Sequence, residues 1–169
     1  MRWQILDNES KMNMRNFMVN LVLNLPEQLK GQPNTQHLLT KLNASLISIV
    51  KLEWGNSWLN FIQDICSSAT ENEAKCENAL NILRLLSEEV FDFSKGTILQ
   101  KDAASLKEKM SAEFEMVYNI CIQVLRNSDG VSESLIKACL KTLQAFLSWI
   151  PLQFIFDTEL MEILIKTYI

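Results

Sequence analysis

The residues best placed to do chemistry in this chain are three carboxylates, Glu88, Glu89 and Asp92. Two carboxyl groups sharing one site can act as general acid and base. Glu88 and Glu89 are neighbours in a helical pattern, so their side chains diverge by about 100°. Glu88 and Asp92 stand one turn apart, but the pattern is ending there. A solvated helix end, or a patch that meets a partner, fits these residues better than an acid–base pair. The single histidine, His37, lies just inside a helical pattern beside Leu38 and Leu39, and reads as a surface or partly packed residue. Cys66, Cys76, Cys121 and Cys139 form no Cys-x-x-Cys pair, so metal-ligand spacing is absent. Each sits in an apolar helical pattern, where a thiol behaves as a small hydrophobe. Unpaired thiols fit a reducing compartment. The chain has neither a Gly-x-x-x-x-Gly-Lys-Ser/Thr phosphate loop nor a Gly-x-Ser-x-Gly elbow. No catalytic, cofactor or metal site is expected, and the chain does not read as an enzyme.

The elements that hold these residues are helices. Only four Gly and three Pro interrupt 169 residues, and long β-branched alternation is missing. With 48 % hydrophobic residues, one domain with a sizeable core is affordable. The net charge of −4 comes without a basic block, which argues against direct nucleic-acid binding. No apolar run approaches the roughly 18 residues needed to cross a bilayer, so membrane insertion is not expected. Asp7, Asn8 and Glu9 interrupt the N-terminus before a signal peptide could form.

The periodicity predicts a first helix over 9–25, with Met14, Phe17, Met18, Leu21 and Val22 on one stripe and Pro26 discouraging continuation. A second runs from Asn34 or Thr35, either of which could cap it, to about Trp54. Its stripe is Leu38, Leu42, Leu46, Ile49, Val50 and Glu53, and Gly55 ends it as a left-handed cap would. A short helix covers 57–69. Thr70 and Glu73 form a capping-box pattern for the next helix, which reaches Phe91 through Cys76, Leu80, Leu83, Leu86 and Val90. A loop over 92–101 turns at Lys95-Gly96, with Phe93 as a candidate anchor. The longest helix, 102–127, turns Leu106, Met110, Phe114, Val117, Cys121, Val124 and Leu125 inward. Another over 131–149 buries Leu135, Ala138, Cys139, Leu143, Phe146 and Leu147, and Pro151 stops it. A last helix starts near Thr158, capped by Asp157 or Thr158.

Second helices of successive pairs thus end near Trp54, Phe91 and Trp149. The first interval is close to the 40–47 residues of a HEAT unit, and the 92–101 loop lengthens the second. The expected fold is all-α: a solenoid of antiparallel helix pairs, stacked so that each buries its neighbour's apolar face. The units are 8–54, 55–94 and 95–150, with 1–7 as the tail of a preceding unit and 151–169 as the start of another. Trp54, Trp58 and Trp149 fall at helix ends, where aromatics fill the wedge between units. Neither end carries a polar capping unit, so the chain reads as a piece of a longer solenoid with adhesive end faces.

Three segments are more particular than helix filler. Leu85–Ser94 reads Leu-Leu-Ser-Glu-Glu-Val-Phe-Asp-Phe-Ser. Lys51–Ile65 carries Glu53-Trp54, Trp58 and Phe61-Ile62-x-Asp64-Ile65. Phe146–Thr158 carries Phe-Leu-x-Trp-Ile-Pro-Leu-x-Phe-Ile-Phe-x-Thr. In this order they resemble the N-terminal third of the exportins for leucine-rich export signals, in the importin-beta, or karyopherin, superfamily. The resemblance covers nearly the whole chain and is weakest across Leu25–Gln36 and Ser67–Lys75. It implies a HEAT-repeat superhelix that binds GTP-loaded Ran and an export cargo, passes the nuclear pore, and shuttles between nucleus and cytoplasm without covalent chemistry. It also implies that the second helix of each pair lines a concave surface, the N-terminal repeats contacting Ran. The Ran-contact candidates are then Lys41, Asn43 and Ser48 on one helix, Asn78, Asn81, Arg84 and Glu88 on the next, and Lys137 and Lys141 on the last. The cargo groove of the family lies in central repeats, beyond Ile169.

Two rivals to this reading remain. One is the scaffold of another karyopherin, or an unrelated HEAT solenoid. The other is a helical-bundle enzyme built on Glu88, Asp92 or a cysteine, against which the missing metal spacing and lone histidine argue.

Overall fold

Asp7 starts the first long helix by accepting the Ser10 N–H on its carboxylate at 2.8 Å, which satisfies one of the donors a helix N-terminus leaves open. The computed structural model describes residues 3–29, 31–54, 57–91, 100–147, 150 and 153–168. After a 3-10 turn at Trp3–Ile5 come α1 (Asn8–Gln28), α2 (Thr35–Glu53), α3 (Phe61–Ser68), α4 (Glu73–Phe91), α5 (Gln100–Arg126), α6 (Glu133–Leu147), α7 (Gln153–Phe156) and α8 (Leu160–Tyr168). Among the described residues there is no strand, and the all-α expectation is met. The short α7 was not anticipated, and α8 starts two residues later than Thr158, whose hydroxyl donates back to the Phe154 carbonyl at 2.6 Å. Gly55, Asp92, Phe93, Lys95, Gly96, Trp149, Pro151 and Ile169 lie outside the described residues, as do the side chains of Val90, Leu106 and Met110.

Pro26 does not end α1, which runs on to Gln28. Proline removes the amide that would have bonded the Val22 carbonyl one turn back. The buried Asn78 of α4 takes over, donating Nδ2–H to the Val22 carbonyl at 2.7 Å. The Asn78 Oδ1 in turn accepts from Asn43 Nδ2 of α2 at 2.8 Å. One buried amide therefore joins three helices, and it makes the proline tolerable in the last turn.

The capping box expected at Thr70 and Glu73 does not form. Asn72 caps α4 instead, its Oδ1 accepting the Lys75 N–H at 2.9 Å, while the Thr70 hydroxyl donates to the Ser67 carbonyl at 2.8 Å. Glu73 reaches across to α6 and accepts the Ser132 N–H at 2.7 Å. Ser132 is the residue before α6, and its Oγ accepts the Leu135 N–H at 3.3 Å. These are the two bonds of a capping box, with the carboxylate supplied from the neighbouring helix. At α2 the cap position is Asn34, held left-handed at φ 66°, and no side chain caps it. The Thr35 hydroxyl there donates to the carbonyls of Leu29 and Gln32.

α2, α4 and α6 lie side by side in one layer, with α1, α3, α5 and α8 behind them. Contacts along the layer fix its sense. Asn43–Asn78 joins the first halves of α2 and α4, and Lys51–Glu89 joins their last turns at 2.9 Å. Glu73–Ser132 joins the starts of α4 and α6, and further along Thr142 donates to the Leu80 carbonyl at 2.9 Å and Ser87 to the Ala145 carbonyl at 3.3 Å. All three helices therefore run parallel. α1 runs against α2, because Arg15 near its start meets Glu53 at the end of α2. A continuous core from Val22 to Leu160 fills the space between layers, centred on Phe114, which stacks on Phe146 at 5.4 Å and meets Phe154 edge-on at 5.1 Å. The apolar stripes expected on α4, α5 and α6 are buried where described, with Leu147 only half covered. Those on α1 and α2 are met in part, with Val22, Leu46, Val50 and Glu53 buried. Phe17 and Leu38 are exposed, whereas Leu23, Leu39 and Ile47 are buried.

The turn from α2 towards α3 is tied by Glu53, which is buried. Its carboxylate accepts from Trp3 Nε1 at 2.6 Å and from the Ser57 hydroxyl, and Arg15 stands 3.5 Å away. The same guanidinium donates to the Ser57 carbonyl at 2.9 Å and lies 5.4 Å from the Trp58 ring centre. Burial acts to raise the Glu53 pKa. The hydrogen bonds from Ser57 and Trp3, with the charges of Lys11 and Arg15, outweigh it and hold the carboxyl below its ordinary 4.5.

Two predictions follow from these polar ties. Asn78→Ala strands the Val22 carbonyl and should cost about 2–3 kcal/mol in urea unfolding. In a Pro26→Ala background the restored amide bonds that carbonyl, so the same change should cost about 1 kcal/mol less. Equal costs in both backgrounds would show that the proline and the amide are not linked. For Glu53, the folded pKa is depressed, so its stabilisation is present above the unfolded value of 4.5 and lost as pH falls through the folded one. Thermal unfolding from pH 7 to pH 3 should therefore show Glu53→Gln less stable than the parent at neutral pH, with the difference shrinking below pH 4.5.

Candidate partner-binding face

The parallel layer turns one face away from the helices behind it. On α2 that face carries Lys41 and Ser48, two turns apart and both exposed. On α4 it carries Asn81 and Glu88, again two turns apart, with Arg84 between them. On α6 it carries Lys137 and Lys141, one turn apart and exposed. These seven of the nine candidate contacts share one surface because the helices are parallel and the spacing repeats the helical period.

Asn43 and Asn78 are corrections. They are 3 % and 4 % exposed and bonded to each other and to Val22, so no partner can reach them. Helical spacing alone could not separate them from Asn81, because each lies at the border between the layer's outer face and the seam between helices. The seams also contain an ion pair that sequence reasoning missed, Lys51 with Glu89. Its partners lie on different helices, and only the parallel register brings them together.

The face is polar and of mixed charge. Arg84 pairs with Glu88 at 2.6 Å, one turn apart on α4. Asn81 donates Nδ2–H to the Glu77 carbonyl at 3.0 Å, leaving its side-chain oxygen as an acceptor. The Ser48 hydroxyl donates to the Ala44 carbonyl at 3.0 Å. Lys41, Lys137 and Lys141 make no ion pair among the described residues. At the N-terminal ends of the three helices lies a groove of about 380 Å³, lined in part by Pro26, Leu39, Glu77, Asn81 and Ser134. Residues of α1, α2, α4 and α6 build it, which is why no single motif announced it.

The groups considered for chemistry are placed otherwise. Glu88 is committed to Arg84, and His37 is exposed. All four cysteines are free and buried. Burial, with the Glu113 charge beside it, pushes the Cys66 thiol up to about 12, and burial pushes Cys76 up to about 11. Cys121 is raised by its hydrogen bond with the Cys139 thiol and by burial. Thiols so protonated are poor nucleophiles. Among the described residues no three His, Cys, Asp or Glu side chains gather where they could hold a metal ion, and no helix is long and apolar enough to cross a membrane. What the face offers is hydrogen-bonding and charged groups spread over three helices, an arrangement suited to recognition.

Comparison with known proteins agrees with this architecture. The family model described as "Exportin 1-like protein" matches residues 35–168. Protein EXPORTIN 1B of Arabidopsis thaliana is 40 % identical over 99 % of this chain, which covers 15 % of that protein. Exportin-1 of Drosophila melanogaster is 39 % identical over 99 % of the chain, covering 16 % of its own length. Exportin-1 of Schizosaccharomyces pombe is 36 % identical, again over 99 % of the chain and 15 % of its own length. A more distant match is Exportin-5 of Homo sapiens, 20 % identical over 96 % of the chain and covering 15 % of that protein. The chain thus spans about 15 % of the length of these relatives. With the family model covering most of a chain folded as a HEAT-like helical solenoid, the chain belongs to the exportin 1-like family.

Proposed function

We propose that this chain is part of a nuclear export receptor, one that binds GTP-loaded Ran and carries cargo with a leucine-rich signal through the nuclear pore. Within that receptor the segment is scaffold and part of the Ran-binding surface. The observation that carries the reading is the single face shared by Lys41, Ser48, Asn81, Arg84, Glu88, Lys137 and Lys141 in an exportin 1-like chain. Family membership supports the class of function, and the parallel layer supports the mode. The division into units 8–54, 55–94 and 95–150, with 1–7 and 151–169 belonging to neighbours, is part of the same proposal. Its support is the packing of α1 on α2, α3 on α4 and α5 on α6.

The mechanism needs no covalent step from this chain. A GTPase orders its switch segments around the γ-phosphate and releases them on hydrolysis. A receptor surface that fits the ordered shape therefore binds one nucleotide state and lets go of the other. Energy for release comes from the partner's GTP, and movement between nucleus and cytoplasm follows from which state prevails in each compartment. Cargo binding is assigned outside this segment.

Calorimetric titration with Ran in its GTP and GDP states tests the proposal. Binding should favour the GTP state and weaken with salt, because the contacts include exposed charges. Reversing Lys137 and Lys141 together to Glu should weaken GTP-state binding at least tenfold, about 1.4 kcal/mol. Equal affinity for both states, or no loss on reversal, would favour a HEAT scaffold with another partner.

A further inference from the structure

We propose that the groove at the starts of α2, α4 and α6 receives an arginine side chain presented by a segment of a partner protein. The groove holds about 380 Å³, within the range of pockets that take a ligand. Pro26 of α1 and Leu39 of α2 line one side, Ser134 of α6 the other, with Ala74, Glu77 and Asn81 of α4 between them. Both walls thus come from helix pairs stacked against each other inside the chain. A further unit added at either end would leave the groove as it is.

The acceptors in the groove are only partly used. The Glu77 carboxylate accepts the Ser134 hydroxyl on Oε2 at 2.8 Å, and its Oε1 has no hydrogen-bond or ion-pair partner among the described residues. One turn on, Asn81 donates Nδ2–H to the Glu77 carbonyl at 3.0 Å, which leaves its Oδ1 as an acceptor. Both side chains are half-buried, where a charged donor gains more than it would in open water. A guanidinium is planar, less hydrated than an ammonium, and donates from one fork to two acceptors. Pro26, Leu39 and Ala74 supply apolar surface for its methylene stem.

The surroundings have the complementary sign. Glu73 also lines the groove, and Glu27, Glu71 and Glu133 are exposed at the same ends of α1, α4 and α6. Lys75 at this rim is bonded to Glu71 at 2.5 Å, and the exposed His37 does not line the groove. Three helix N-termini meet here, and their positive poles alone would favour an anion. Those of α4 and α6 are capped by Asn72 and by Ser132 with Glu73, and the full charges of Glu73 and Glu77 outweigh the partial charge of a pole.

A second well of about 360 Å³ shows that the occupant is a polypeptide and not a free amino acid. Ile120, Val124, Val131 and Leu135 line it, and Glu73 lines both cavities, which sets them side by side. A segment with an apolar residue close to its arginine fills both.

An amide proton–nitrogen NMR titration tests the site with the peptide Gly-Ser-Leu-Gly-Arg-Gly-Leu-Ser-Gly, which carries a leucine on either side of its arginine. Shifts should saturate at Ala74, Ser134 and the Asn81 side-chain amide. Citrulline in place of arginine keeps the shape, loses the charge and should weaken binding about tenfold. Alanine in place of both leucines should weaken it about threefold, less than full burial of a leucine would give. Glu77→Gln should weaken it about tenfold. Ser134→Ala releases the carboxylate from its tie and should not weaken it. The amide spectrum of each variant shows whether it keeps its fold, and Asn81→Ala serves as a second test of the acceptor pair. Shifts absent from these residues, equal affinity for the arginine and citrulline peptides, or unchanged binding by folded Glu77→Gln would each overturn the proposal. Equal binding of the alanine peptide would overturn the polypeptide occupant in favour of a free guanidinium ligand.

Discussion

A proline in the last turn of α1 leaves the Val22 carbonyl without its helical donor, and the side chain of Asn78 supplies one from another helix. Much of the layer's register hangs on this bond. A buried carbonyl without a partner is expensive, so α4 must sit where its amide can reach. The same amide has a second half to satisfy, and Asn43 does that from α2. Apolar packing alone would let neighbouring helices slide along each other by small amounts at little cost. A buried amide shared by three helices does not, because displacement by an ångström or two breaks bonds of 2.7 and 2.8 Å with no water to replace them.

The junction of α4 with α6 is fixed by the same kind of physics in other chemistry. Glu73 caps the start of α6, and the Thr142 and Ser87 hydroxyls reach backbone carbonyls across the seam. Each helix is thus pinned to the next both by apolar side chains and by polar groups that find backbone partners across the gap. The outer face is a product of those pins. Lys41, Asn81, Arg84 and Lys137 come from segments far apart in sequence, and they share a surface only because α2, α4 and α6 are parallel and in register.

Periodicity made the helices of this protein legible, and it made the covered faces of α4, α5 and α6 legible too. Those helices are packed on several sides, so the apolar stripe and the buried stripe coincide. On α1 and α2 they coincide only in part. Apolar residues occupy two flanks, and the sequence has no mark that says which one meets α4. The expected α1 stripe ran through both Phe17 and Val22, and of these only Val22 is buried, with Leu23 beside it. Polar residues raised the same ambiguity in reverse. Asn43, Asn78 and Asn81 all look like surface asparagines, and only the proline's missing amide, at a position remote in sequence, explains why two are core residues. Glu73 was misassigned for a related reason. Its spacing from Thr70 fits a local cap, but Ser132 across the seam offers an N–H that needs a carboxylate equally. The segment around Trp54 and Trp58 is one of the three that carry the family resemblance, and its physical content is the Glu53 knot that holds the turn after α2.

Recognition by a face of this kind places a particular demand on the scaffold. On the proposed reading, the binding energy is divided among exposed side chains, each worth little at the surface. Spread contacts of that sort add up only if their spacing matches the partner's, and flexible alignment would cost entropy at every one of them. If the proposed face binds a partner, the buried ties between helices contribute to that binding without touching it. They fix the distances between Lys41, Arg84 and Lys141 before contact is made. That view inverts the usual weight given to polar residues in this layer. On the proposed reading, the two asparagines that a surface-based view would count as contacts would serve recognition from inside the seam, by holding in place the residues that remain outside it.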